Sequence, residues 1–176
     1  MSDISAAQPS LLYKGGCSPH FCHCLQPTSS PLLRTAPLLT ATMCEEMCGM
    51  WKLTENNADD FNKYMEICGV SFLTRQAARH LRPDMDISVN NGEWCIKTMS
   101  TFKNTELKFK LGEEFEECTA DGRKVQALLT FENGVLIHKQ KWDGKESKIT
   151  RELKDGRLVT TCSIDDASCV RVYDKK

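Results

Sequence analysis

Residues 147–173 read SKITRELKDGRLVTTCSIDDASCVRVY, and the register of this stretch decides the fold. Asp155-Gly156 and Asp165-Asp166 have the composition of two-residue hairpin turns. With Asp155-Gly156 as a turn, Arg151 lies opposite Thr160 and Leu153 opposite Leu158. With Asp165-Asp166 as the next, Thr160 lies opposite Arg171 and Cys162 opposite Cys169. Paired residues share a face, and so do residues two apart on one strand. Ile149, Arg151, Leu153, Leu158, Thr160, Cys162, Ile164, Cys169, Arg171 and Tyr173 therefore point one way. The Asp143-Gly144 turn adds Leu136, His138 and Gln140 to the same face.

That face is mainly apolar and is predicted to be the interior. It nevertheless carries Arg151 and Arg171, about 10 Å apart at ~4.8 Å per strand, with Tyr173 beside them. Desolvated guanidinium groups are costly unless paired, and no acid on this face of these strands pairs with them. A buried positive site without an internal anion suits an anionic ligand, and arginine grips carboxylates bidentately. The alternative is a bulge that turns one or both arginines outward. The outward set Lys148, Thr150, Glu152, Thr161 and Ser163 is polar and favours the first reading, whereas Val170 and Val172 on the outer face weigh slightly against it.

Further turn signals recur upstream at Asn90-Asn91-Gly92, Leu111-Gly112, Asp121-Gly122 and Asn133-Gly134. They bound segments Ile87–Val89, Trp94–Thr98, Leu107–Leu111, Val125–Phe131 and Val135–Trp142. Ser147–Leu153, Leu158–Ile164 and Cys169–Tyr173 complete an antiparallel meander. Before it, Met50–Leu53 reads as a strand. Asn57 then reads as an N-cap with acids in the first turn; Phe61, Tyr64, Met65 and Cys68 keep helical spacing to Gly69. Val70 to Leu81 reads as a second short helix, stopped before Pro83. A strand, two helices and about nine more strands are expected to close into an up-and-down barrel, which removes sheet edges, with the helix pair over one end.

Composition divides the 176 residues near Met43. Of the 23 Lys+Arg and 24 Asp+Glu, only Asp3, Lys14 and Arg34 fall in residues 1–42, which hold five of the six prolines. That extension is expected to be disordered, with residues 43–176 as the folded domain. The net charge of −1 argues against a phosphate-backbone binder, so no nucleic-acid partner is expected. Mean hydropathy is −0.41, and no apolar run approaches the roughly 18 residues of a span, which argues against a membrane-spanning protein. The N-terminus lacks a secretory pattern, so the ten cysteines are expected to be mostly free thiols in a reducing compartment. Cys162 and Cys169 are read as adjacent thiols, with a disulfide as the alternative. Cys17, His20, Cys22, His23 and Cys24 lack a second ligand pair at structural-zinc spacing, and no metal or other cofactor is expected. His138, without an acid or hydroxyl partner on its face, is read as a cavity-wall residue, and Asp121 with Arg123 as a salt bridge; no catalysis is expected.

Phe102-Lys103-Asn104-Thr105-Glu106, Leu111-Gly112-Glu113-Glu114-Phe115-Glu116-Glu117, Thr119-Ala120-Asp121-Gly122-Arg123-Lys124 and Gln140-Lys141-Trp142-Asp143-Gly144-Lys145-Glu146 resemble the intracellular lipid-binding proteins. With Gly49-Met50-Trp51-Lys52-Leu53 and Arg171-Val172-Tyr173, the resemblance spans Met43 to Lys176. Within that family it leans to the cytosolic fatty acid-binding group of epidermal, myelin, adipocyte and heart types. It implies an all-β protein: a ten-stranded barrel with a helix-turn-helix lid and a large internal cavity. Arg151, Arg171 and Tyr173 stand where the family holds the fatty-acid carboxylate. Phe102 stands at the gating position of the portal, and Phe61, Tyr64, Met65, Ala78, Ala120, Asp121 and Arg123 at cavity- or portal-lining positions. His138, Gln140, Thr160 and Cys162 complete the expected ligand-binding set.

The resemblance implies a monomeric, non-enzymatic cytoplasmic carrier of long-chain fatty acids with transient contacts to membrane surfaces, to which Lys63, Arg75, Arg79 and Arg82 on the lid are candidates to contribute. The nucleus is a second expected location, although a basic trio that some members use for nuclear entry reads Glu66, Arg75 and Gln76 here. A retinoic-acid carrier is the nearest alternative, and a membrane- or protein-docking module with a compromised pocket the next. The chain departs from the family pattern in two extra residues between Leu53 and Phe61, expected to shift the first helix, and in Asp86 and Met99. Residues 1–42 are also an addition, read as an alternative transcript or an over-extended gene model rather than a further domain.

Overall fold

The computed structural model describes residues 44–176, so the expectation of disorder in residues 1–42 lies outside the described residues. A helical turn at residues 44–47 precedes β1 (Gly49–Asn56), which leads into α1 (Ala58–Ile67) and α2 (Phe72–Ala78). Nine strands follow: β2 (Asp84–Asn90), β3 (Glu93–Met99), β4 (Thr105–Lys110), β5 (Glu114–Cys118), β6 (Lys124–Glu132), β7 (Val135–Trp142), β8 (Lys145–Lys154), β9 (Arg157–Ile164) and β10 (Ala167–Lys175). They form one antiparallel sheet in the order β4-β3-β2-β1-β10-β9-β8-β7-β6-β5, curled into a nearly closed barrel. The strand missing from the turn-by-turn reading is β5. Its sequence, EFEEC, is short and acidic and offers little β-propensity.

Register agrees with the hairpin derivation at each pair that carried it. Arg151 opposes Thr160, Leu153 opposes Leu158, and His138 opposes Ile149. Thr160 opposes Arg171 and Cys162 opposes Cys169. The turn residues explain why: Asp143-Gly144 and Asp155-Gly156 both have φ between 45° and 75°, the left-handed pair that a type I′ turn demands. An arginine-displacing bulge is absent from β8, β9 and β10 pairings with one another. A bulge does occur in β1, between Leu53 and Glu55 against β10. α1 begins directly after Asn57, whose side chain accepts from the amides of Asp59 and Asp60.

Closure is incomplete, contrary to the expectation of a barrel without edges: β4 and β5 are not hydrogen-bonded to each other. Side chains span the opening instead. Phe109 of β4 stacks on Phe115 of β5 at 6.3 Å, and Trp94 lies 6.0 Å from Phe109 and 5.9 Å from Phe131. The apolar core around Trp51, Leu53, Ile87, Ile96, Leu129, Leu136 and Leu158 fills the end of the barrel away from the helices. A second cluster joins Tyr64, Met65 and Cys68 of the α1 region to Cys162, Ile164, Ala167 and Cys169. That cluster seats α1 over β9 and β10. The second helix is shorter than predicted, capped by Ser71 and ending at Ala78.

Candidate ligand-binding site

Strand alternation places Arg151 of β8 and Tyr173 of β10 on the inner face, 8% and 1% exposed. Arg171, also on β10, lies across Thr160 from Arg151 and is half-buried. Its guanidinium carbon sits 4.3 Å from the centre of the Phe61 ring and 6.0 Å from that of Tyr173. Among the described residues neither arginine makes an ion pair. Nε and Nη1 of Arg151, Nε of Arg171 and Oγ1 of Thr160 are buried without a hydrogen-bond partner. Burial pulls the Arg151 guanidinium below its ordinary value and pushes the Tyr173 phenol up; at neutral pH the arginine keeps its charge. A carboxylate here would meet donors that nothing else among the described residues uses.

The inner face also holds an acid that register reasoning on β7–β10 missed. Glu117, on β5, accepts from Nε2 of His138 at 2.8 Å and from Nε2 of Gln140 at 2.9 Å. Ser147 donates to Oε1 of Gln140 at 3.1 Å. The statement that His138 lacks an acid partner is therefore corrected. Its partner comes from a strand not in the derivation, and the signal available was the alternation Phe115-Glu116-Glu117, which puts Glu117 on the side of Phe115. Burial pushes the Glu117 carboxyl up, but hydrogen bonds from His138 and Gln140 and the nearby Arg151 charge outweigh it and hold it below the ordinary range. Burial pulls His138 down. The arrangement is an ionised carboxylate receiving an N–H from a neutral imidazole, without a nucleophile held by the pair.

Beneath the helices lies a cavity of about 200 Å³. It gathers nine of the predicted residues: Phe61, Tyr64, Met65 and Ala78 from the helices, Phe102, Ala120, Asp121 and Arg123 from the facing loops, and Arg171 from β10. Arg151, Tyr173, His138, Gln140, Thr160 and Cys162 are buried on the inner face but are not part of its wall. Phe102 is 59% exposed at the rim. Beside it, Lys103 donates to the carbonyl of Ala120 at 2.9 Å and ties the β3–β4 loop to the β5–β6 loop, a contact that sequence reasoning did not foresee. Arg123 pairs with Asp121 at 2.6 Å, as read from sequence, and stacks over Trp142 at 4.4 Å. Cys162 and Cys169 are free thiols; a hydrogen bond from Cys169, against burial and with help from Arg171 and Arg151, pulls Cys162 down.

Three of the four lid cations are engaged with acids: Lys63 with Asp166, Arg75 with Glu66, and Arg79 with Asp59. Among the described residues no group of three or more His, Cys, Asp or Glu is placed to hold a metal, and the Cys17–Cys24 cluster lies outside them. No described helix is long and apolar enough to cross a membrane.

The model of the lipocalin / cytosolic fatty-acid binding protein family matches residues 48–176. The chain is 46% identical over 133 residues to the adipocyte fatty acid-binding protein of Pygoscelis papua, covering 76% of this chain and 99% of that one. Fatty-acid-binding protein 1 of Echinococcus granulosus has a similar crystal structure, with a TM-score of 0.71 at 39% identity over 74% of this chain and 98% of the other. The Schistosoma mansoni fatty acid binding protein, solved in complex with arachidonic acid, matches with a TM-score of 0.72 at 31% identity, over 76% and 98%.

Proposed function

The chain belongs to the lipocalin / cytosolic fatty-acid binding protein family, and from that premise we propose that it carries long-chain fatty acids through the cytosol as a monomer. The observation that carries this reading is the set of unused, buried guanidinium donors on Arg151 and Arg171 beside Tyr173. The carboxylate binds these groups directly or through water. Each methylene of the tail buried in the barrel contributes ~0.8 kcal/mol. Entry runs between the helices and the loops bearing Phe102 and Ala120, where the cavity reaches Arg171. Ligand exchange with membrane surfaces uses the apolar side chains exposed at that end, Phe72, Leu73 and Phe102, more than the lid cations, since most of those are paired.

The test is displacement of a fluorescent fatty-acid probe from the full chain by oleate, oleyl alcohol and retinoic acid. Oleate should outcompete the alcohol by at least about tenfold, since charge-assisted hydrogen bonds are worth ~1.5–3 kcal/mol. Arg151→Gln/Arg171→Gln should abolish the difference. Equal displacement by acid and alcohol in the parent chain sinks the carboxylate clamp; retinoic acid ahead of oleate shifts the cargo to a retinoid.

A further inference from the structure

Within the inner face one polar atom is left over by the carboxylate clamp. Nδ1 of His138 is buried and has no hydrogen-bond partner among the described residues, on a side chain whose residue is 1% exposed. Its chemical character follows from the opposite ring nitrogen. An ionised Glu117 only accepts, so Nε2, at 2.8 Å, carries the proton. In a neutral imidazole Nδ1 is then a bare acceptor. Burial disfavours the imidazolium at this position, so Nδ1 seeks a donor. The ring cannot swing to satisfy itself, because Glu117 is also held by Gln140, which is held by Ser147. A buried acceptor left unmade costs ~1–3 kcal/mol.

The atoms near it are donors with the complementary deficit. His138 pairs with Ile149, and Arg151 stands two residues further along β8, so the two side chains are diagonal neighbours at about 7–8 Å between their backbones. Arg151 keeps Nε and Nη1 unused, yet no hydrogen bond joins them to His138. A group fitting between them must give a hydrogen bond to Nδ1 and tolerate a guanidinium. An alkyl chain does neither, a second carboxylate cannot donate, and an amine would oppose Arg151. An alcohol does both, as does a water molecule, whose place a ligand hydroxyl would take.

We propose that His138 forms a second polar subsite for a hydroxyl group on the fatty-acid chain, so that the preferred cargo includes hydroxylated fatty acids. The proposal rests on the carrier reading above, because the carboxylate must occupy the arginine site for the hydroxyl to reach His138. The hydroxyl would lie towards the carboxyl end of the chain, since His138 and Arg151 are neighbours on adjacent strands. Glu117 is a positioning residue in this scheme: it fixes the tautomer and touches no ligand.

The experiment compares stearate with hydroxystearates whose hydroxyl is stepped along the chain, by probe displacement from the full chain and from its His138→Phe variant. One or more positions in the carboxyl-proximal half should bind about three- to tenfold more tightly than stearate, the yield of one buried hydrogen bond. His138→Phe should erase that preference, read as the ratio of hydroxystearate to stearate affinity within each protein. The ¹⁵N resonance of Nδ1 in the parent protein gives an independent reading should the variant not fold: it should move on binding the preferred hydroxystearate and stay in place with stearate. A preference for stearate at every position, or one that survives His138→Phe, overturns the subsite and leaves the carrier reading intact. If stearate itself fails to bind, both fall together.

Discussion

Arg171 and Arg151 are chemically alike and differently placed. Arg151 is enclosed by β7, β8 and β9, whereas Arg171 reaches the portal cavity and lies against Phe61 of α1. The proposed carboxylate clamp therefore has one deep side and one that also touches the lid. At the same scale, Glu117 and His138 make stability depend on pH, and both act in one direction. The folded value of His138 lies below its ordinary 6.5, so between the two the unfolded chain binds more protons and stability falls as pH falls. The folded value of Glu117 lies below its ordinary 4.5; its contribution is complete above that and disappears as pH drops through the folded value. A series of melting curves should show Tm declining from about pH 6.5 downward. His138→Phe should flatten the upper part of that decline and also shrink the lower part, because the His138 hydrogen bond is among the causes that hold Glu117 down.

Each helix of the lid begins at a side-chain cap, and the two are not equivalent. Asn57 serves two amides of α1, at 3.0 and 3.3 Å, whereas Ser71 serves one amide of α2, at 3.4 Å. α1 also carries the buried contacts to β9 and β10, so its first turn positions Phe61 over Arg171. Asn57→Ala should cost about 1 kcal/mol and lower Tm by about 3–6 °C in calorimetry. Because Phe61 rides on that turn, the same variant should release bound fatty acid several-fold faster in stopped flow. An unchanged Tm would show that packing against the sheet alone holds the helix start.

At the scale of the molecule, the barrel is a sheet with two facing edges joined by aromatic side chains rather than by a ladder. Among the described residues β4 pairs only with β3 and β5 only with β6, while β8, β9 and β10 are paired on both sides. Local opening is cheapest where backbone hydrogen bonds are fewest. Native-state hydrogen exchange should find the least protected strand amides in β4 and β5 and the most protected in β8–β10. Uniform protection around the barrel would mean that the Phe109–Phe115 stack holds the seam as firmly as a ladder does.

The sequence alone determined the antiparallel meander, the helix pair, the inward direction of Arg151, Arg171 and Tyr173, and the pairing of Cys162 with Cys169. Those depend on two-residue turns and on a period of two, which are local and leave no freedom once a turn is placed. Residues such as Asp121 and Arg123, two apart around a single turn, were legible for the same reason. Only the tertiary structure decided what meets across distance: Glu117 with His138, Lys103 with the carbonyl of Ala120, Phe61 over Arg171, and the open seam between β4 and β5. β5 was too short and too acidic to announce itself, and curvature, not pairing, carries its inner face round to β7. How far a sheet curls before its edges meet depends on the summed twist of all ten strands, and no single stretch of chain carries that sum.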